Sequence, residues 1–221
     1  MNINADFSQR VVVRPGDAPW TQSPTAGVNR IMLDRIGEEV ARASSVVRYD
    51  AGAHFPEHEH TGGEEILVLA GVFSDENGDY GLGTYVRNPI GTRHAPFSTH
   101  GCMIFVKLGQ LRADNNAPLV VDTHSARYLP GSAPGLSVLP LHNGENESVA
   151  LVRWEPQTRF SRHRHWGGEE IMVLEGTFQD EYGDYPKGTW IRSPHMSVHQ
   201  PFSDKGCLIY VKTGHLLADS D

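Results

Sequence analysis

Between His58 and His94 the residues best able to do chemistry each recur once, 105 positions further along the chain. His58, His60, Glu64 and His94 are answered by His163, His165, Glu169 and His199 (58 to 163, 60 to 165, 64 to 169, 94 to 199). A displacement that holds at four points leaves no net insertion or deletion between the copies. A chain of 221 residues therefore reads as two units of one fold in tandem. The expected units are residues 1–115, which include an N-terminal extension, and residues 116–221. Three imidazoles and one carboxylate at conserved gaps are a donor set for a divalent transition metal. The repeat thus predicts two metal sites, with His58, His60, Glu64 and His94 as ligands in the first and His163, His165, Glu169 and His199 in the second.

The text around these residues points to β-structure. Apolar runs are short and turn-bounded, and 23 glycines and 14 prolines punctuate the chain, which favours strands over helices. Only the stretch 34–43, DRIGEEVARA, reads as helical. Val11 to Val13 suggests a strand ahead of Pro15. His58 and His60 lie two apart on a stretch that Pro56 restricts to an edge or irregular strand, and that spacing turns both rings to one face. Gly62-Gly63 then lets the chain turn sharply, so that Glu64 opens the neighbouring strand EEILVLAG close to the histidine pair. Asn77-Gly78 marks a turn, Thr84 to Arg87 a short strand, and the turn from Gly91 delivers His94. CMIFVKLGQL is the last strand of the first unit. Residues 112 to about 145 are linker and the start of the second unit.

A formal charge of −8 without a basic stripe argues against nucleic acid as a partner. The N-terminus lacks the basic start and apolar run of a signal peptide, and no segment reaches the length of a membrane span. The expectation is a soluble, cytoplasmic protein with no membrane partner. Two cysteines suit a reducing compartment.

The spacing G-x5-H-x-H-x3-E-x6-G (Gly52, His58, His60, Glu64, Gly71), followed by G-x5-P-x-G-x2-H (Gly83, Pro89, Gly91, His94), resembles the two cupin motifs. The second unit departs at two points, Gln157 for the first glycine and Met196 for the glycine before His199, which bears on its turns and not on its ligands. H-x-H-x-G-G-E-E-x-x-V-L-x-G, the D-E-x-G-D-Y loop and the closing G-C-x-x-x-V-K strand narrow this further. They resemble the cupin-like C-terminal domain of ChrR anti-sigma factors, across roughly residues 20–111 and 135–216. The resemblance implies an all-β fold of two tandem jelly-roll β-barrels, with zinc held by the H-x-H pair, the glutamate and the later histidine. The sigma-binding helical domain of that family has no counterpart here, so a sigma factor is not an expected partner.

Other residues have simpler readings. Glu65 and Glu170, one step along the strand from the ligands, face away from the metal and pair with Arg87 or Arg192. Cys102 and Cys207, on apolar strands, are small buried hydrophobes. His54, His100, His124, His142, His195 and His215 are solvated or structural, and His54 is the one nearest the ligand strand. Tyr85 and Trp190 pack in the barrel core or its mouth.

Three functions stay open on the sequence. One is a metal-binding protein with a regulatory or stress-sensing role, zinc filling a four-ligand shell. The second is a mononuclear metal-dependent cupin dioxygenase, using iron, manganese or nickel with open positions for a small carbonyl or acid substrate. The third is a structural module that forms a homodimer. Metal ions and a small-molecule ligand are the expected partners, and no catalytic residue beyond the ligands is recognisable.

Overall fold

The leucine- and valine-rich run that follows Gly62-Gly63 becomes a strand of 12 residues, Glu64–Asp75, and its repeat becomes Glu169–Asp180. Each is the spine of a unit. The structure, a computed structural model, describes residues 1–112 and 117–216; the expected boundary between 115 and 116 lies outside the described residues. Chain contacts group Met1–Ala5 with Ala18–Ala126, and Asp6–Asp17 with Arg127–Asp221. Among the described residues no helix is long and apolar enough to cross a membrane.

In the first unit the spine belongs to two sheets. Its first half pairs with Cys102–Leu108 on one side and Thr84–Asn88 on the other, whereas its second half pairs with Gly78–Gly81 and Phe97–Ser98. Side chains on one face of the first half, Ile66 and Val68, meet Val86, Ile104 and Val106 in a core between the sheets, as the two-residue period of a strand requires. Ile171, Val173, Ile191 and Ile209 repeat this core in the second unit. The main hydrogen-bonded path runs Asn2–Ile3, Val28–Gly37, Ala41–Tyr49, Cys102–Leu108, Glu64–Asp75, Thr84–Asn88, Leu119–Asp122 and has two ends. The fold is therefore a tandem pair of all-β jelly rolls whose sheets face each other without closing into a ring.

Two expectations need correction. Residues 34–43 are not helical. Val28–Gly37 and Ala41–Tyr49 pair antiparallel, Gly37 opposite Ala41, in a hairpin that Gly37 turns with a φ of 112°. A Cβ on Gly37 would stand 2.7 Å from the Val40 carbonyl oxygen, so the turn needs glycine. The N-terminal extension, moreover, does not belong wholly to the first unit. Val11–Val13 pairs with Trp190–Ser193 and closes the edge of the second unit's sheet, while Leu119–Asp122 does the same on Thr84–Asn88 in the first. In equivalent register Val11 lies opposite Arg192 and Leu119 opposite Arg87. Each unit thus takes its edge strand from the segment that precedes the other repeat.

The two departures from the glycine pattern keep their backbone. Gln157 and Met196 hold φ of 64° and 65°, against 76° at Gly52 and 84° at Gly91, a conformation that costs a non-glycine residue about 1–2 kcal/mol. Gln157 recovers part of this by donating its side-chain amide to the Asp204 carbonyl at 2.9 Å.

Candidate metal centres

Two short strands meet at the mouth of each jelly roll and carry two of its three histidines, while His60 and His165 follow directly on the first strand of each pair. His58–Glu59 pairs with Arg93–His94 so that His58 lies opposite His94, and His163–Arg164 pairs with Val198–His199 so that His163 lies opposite His199. The glutamate stands at the first position of each spine strand, one sharp turn from the histidine pair. That turn is close-packed. A Cβ on Gly62 would lie 2.6 Å from the Gly109 Cα, and one on Gly167 2.5 Å from the Gly214 Cα, which holds Glu64 and Glu169 hard against the last strand of their units.

All eight residues singled out in the sequence converge, four and four, with the donor atoms of each set within 4.8 Å of one another. Glu64 Oε2 is 3.3 Å from His60 Nε2 and 3.4 Å from His94 Nε2; Glu169 Oε2 is 3.6 Å from His165 Nε2 and 3.7 Å from His199 Nε2. Bonds of about 2.0–2.2 Å to a shared cation give donor–donor edges of about 3–3.5 Å, so the first cluster has the size of a coordination shell and the second is slightly wider. The Nε2 atoms of His60, His94, His165 and His199 are buried without a hydrogen-bond partner, as is Glu169 Oε2. Buried polar atoms left open around one point are costly unless something fills it, and a cation fits this demand.

The rings are fixed through their other nitrogens. His58 Nδ1 donates to the Pro56 carbonyl at 3.0 Å and His163 Nδ1 to the Ser161 carbonyl at 2.9 Å. His94 Nδ1 faces Asp75 Oδ2 at 3.1 Å, and His199 Nδ1 faces Asp180 Oδ2 at 3.3 Å. Each bond directs the Nε2 lone pair into the cluster, as metal-binding histidines require. In the first cluster His60 Nδ1 lies 2.9 Å from Thr92 Oγ1, whose hydroxyl donates to the Pro89 carbonyl at 2.7 Å, and Asn88 Nδ2 donates to Glu64 Oε2 at 2.9 Å.

Electrostatics follow from burial. Desolvation lowers His60, and lowers His165 to about 3 with help from the neighbouring His199 and His163, which keeps both imidazoles in the neutral form that binds cations. Burial raises Glu169 to about 7 despite the proximity of His199.

Asp75, Asp180, Thr92 and Asn88 were not among the residues expected at the sites. Asp75 and Asp180 sit at the ends of the spine strands, where the repeated D-E-x-G-D-Y text reads as a turn; their recurrence 105 positions apart, in step with the ligands, was the available signal. Glu65 turns to the opposite face, accepting from the Tyr85 hydroxyl at 2.7 Å and from Arg87 at 2.8 Å; Glu170 accepts from Trp190 Nε1 at 2.7 Å and lies 3.1 Å from His215 Nε2. Tyr85 and Trp190 are fully buried, and Cys102 and Cys207 are buried, with thiols that burial raises, the latter to about 11. His54 stacks on Phe97 outside the cluster, and His195 accepts from the Gly167 amide.

Solved structures share this architecture at low sequence identity. A provisionally assigned dioxygenase from Nostoc punctiforme superposes with a TM-score of 0.78 at 15% identity, over 96% of this chain and 85% of that one. YlbA from Escherichia coli gives 0.73 at 13%, over 98% and 94%, and the oxalate decarboxylase of Bacillus subtilis, described with Mn(II) centres, 0.63 at 13%, over 94% and 78%. No curated protein matches the sequence closely enough to count as a relative. The sequence profile of the ChrR cupin-like domain, in contrast, matches twice, over residues 8–112 and 116–217. With both repeats accounted for, the chain belongs to the ChrR cupin-like family, as a bicupin.

Proposed function

We propose that this bicupin holds one divalent transition metal in each jelly roll, through His58, His60, Glu64 and His94 in the first and His163, His165, Glu169 and His199 in the second, in a regulatory or stress-sensing role. The observation that carries this reading is the set of buried Nε2 atoms with no partner, aimed at one carboxylate oxygen per cluster. Zinc is the metal of choice, because three imidazoles and a carboxylate complete its preferred four-ligand shell; manganese, iron and nickel are the alternatives. Two buried free thiols and the acidic surface favour a cytoplasmic setting.

The second reading is a metal-dependent dioxygenase acting on a small carbonyl or acid, and a cavity that reaches the ligands of the first unit favours it. A bound cation would supply Lewis-acid polarisation of a substrate oxygen. The chain's own groups would hold that cation and keep His60 neutral, and the apolar walls would exclude water.

Elemental analysis of protein purified without added metal tests the shared premise. About two metals per chain are expected from the two donor sets, and retention of both after joint replacement of His58, His60, His163 and His165 by alanine defeats it. Cobalt substitution separates the two readings. An intense tetrahedral spectrum indifferent to small anions supports the filled shell, and a spectrum that shifts on adding them supports an open position and the enzyme.

A further inference from the structure

The two units are not equivalent behind their ligands. In the first, a cavity of about 290 Å³ runs from His58, His60 and Glu64 to the hairpin that joins Val28–Gly37 to Ala41–Tyr49. Its wall is apolar, formed by Val28, Val47, Phe55, Ile104 and Val106, and its far end carries Arg30 and Arg35. At roughly 30 Å³ per water this is the volume of about ten waters, a space for a small organic molecule and not for a peptide or nucleotide.

The two arginines share the lining with three carboxylates, Glu39 beside them, Glu59, which pairs with Arg93, and Glu64 in the four-residue cluster. Arg35 is buried and spends its guanidinium on the Glu38 and Glu39 carbonyls, and its charge is disfavoured first by burial and then by Arg30. Arg30 meets the Glu39 carboxylate with two nitrogens, at 3.0 and 3.4 Å, while its Nε is buried without a partner. Glu39 is an exposed side chain, 58% accessible, at the tip of the hairpin. An Arg–carboxylate fork is therefore already formed at the cavity, by a carboxylate that gives little stability and exchanges readily.

Equivalent pairing registers show what stands at these positions in the second unit. Arg30 pairs with Thr21 and Val138 with Leu129; Arg35 pairs with Ala43 and Asn143 with Ser148. The arginines are thus replaced by Val138 and Asn143. Ser45 and Tyr49, which add hydroxyls to the first cavity, give way to Ala150 and Trp154. The hairpin is shorter as well. Seven residues separate Arg35 from Ala43 and four separate Asn143 from Ser148, so the tip that carries Glu39 has no counterpart.

We propose that the first unit alone binds a small organic carboxylate, its anionic head on Arg30 in place of Glu39, its apolar body along the cavity wall, and its far end directed at the four-residue cluster. The class follows from the fork and the wall together, a planar anion joined to a compact apolar group. The inner end of this pose rests on the metal reading; the outer end does not.

Benzoate, with benzamide as its neutral isostere, is the probe, titrated calorimetrically into the purified protein with metal content assayed in parallel. One benzoate per chain is expected, bound at least tenfold more tightly than benzamide. Arg30→Gln should weaken benzoate at least tenfold and leave benzamide unchanged, whereas Glu39→Gln, which removes the resident competitor, should tighten it. Equal binding of the two probes, no binding, two sites per chain, or indifference to both substitutions overturns the proposal. Should Arg30→Gln fail to fold, Glu39→Gln on its own decides, since a looser or unchanged benzoate affinity contradicts the competition. Absence of metal alongside Arg30-dependent benzoate binding defeats the metal reading and leaves the anion site standing.

Discussion

Small differences in the side chains that hold the clustered histidines and glutamates should make the two clusters unequal. Asn88 and Thr92 bond Glu64 and His60. The residues 105 positions on are Ser193 and Ser197, and Ser197 Oγ and Glu169 Oε2 are buried without partners. Such supporting bonds are worth about 10–100-fold in metal affinity. The first site should therefore fill first when zinc is added to metal-free protein, and Thr92→Val with Asn88→Ala should lower its affinity by about tenfold or more, measured by competition with a chelator. Equal filling of both sites from the first equivalent contradicts this. Protonation of Glu169 adds a second expectation. Burial raises its carboxyl from 4.5 to about 7, so between those values the metal-free fold retains a proton that the unfolded chain has lost, and stability falls as pH rises through that window. His165, lowered to about 3, is neutral throughout the window and releases nothing. Zinc entering the second site near pH 6 should thus expel about one proton from Glu169, visible as a dependence of the binding heat on buffer ionisation enthalpy. Identical heats in phosphate and in an amine buffer count against it.

Among the elements, the short strand Val11–Val13 does more than close a sheet. It brings Arg10 to Asp180, at 3.0 Å from Oδ2, and to the Tyr185 hydroxyl at 2.8 Å, and Asp180 in turn faces the His199 ring. By the equivalent strand register the first unit has Pro118 in place of Arg10. Asp180 is held below the usual carboxylate range because bonds from His199, Tyr185 and the Tyr182 amide, with the charge of Arg10, outweigh the opposing effect of burial. Arg10→Met should loosen metal in the second site by several-fold, roughly 1 kcal/mol for a partly exposed charged bond, and spare the first; loss from the first site, or from neither, refutes it. This is also where the sequence was least legible. The triplet VVV announces a strand, but nothing local in it states which sheet edge it joins, because edge pairing is decided by distant backbone groups. The stretch 34–43 misled for a related reason. Its Glu-Glu-Val-Ala-Arg-Ala text has helical propensity, yet Leu33 and Ala43 are buried in a sheet and Gly37 turns the chain back, so tertiary pairing overrode a weak local preference. The two four-residue clusters were legible because duplication repeats their spacing, which chance seldom does. Asp75 and Asp180 repeat just as faithfully but were read as turn residues, and only the fold shows their carboxylates against the rings.

On the scale of the whole chain, two units with separate cores each close around a cluster of uncompensated buried donors. Without a cation those donors are a liability to the folded state, since imidazole nitrogens in both units, and a carboxylate oxygen of Glu169 in the second, have been taken out of water without a hydrogen-bond partner. With one, the folded state gains what the unfolded chain cannot, because three of the four donors stand on three separate strands and the fourth, His60 or His165, just beyond the first of them, so that only folding assembles the set. At a free metal concentration a thousandfold above the dissociation constant the gain is about 4 kcal/mol per site. For a unit of roughly a hundred residues, where 1 kcal/mol shifts the midpoint by about 4–8 °C, this amounts to about 15–30 °C. Scanning calorimetry with zinc and with EDTA should show that displacement, and acidification well below 6.5 should mimic EDTA, because burial lowers His60 and His163 and takes His165 to about 3, so protons compete for these rings only in more acid solution. Replacing His163 and His165 together by alanine should confine the loss to transitions of the second unit and leave a zinc-dependent transition from the first. A thermogram that neither chelator nor these substitutions alter would show that the clusters are stable without metal, and would return His58, His60, Glu64 and His94, with their repeats, to the status of buried polar residues.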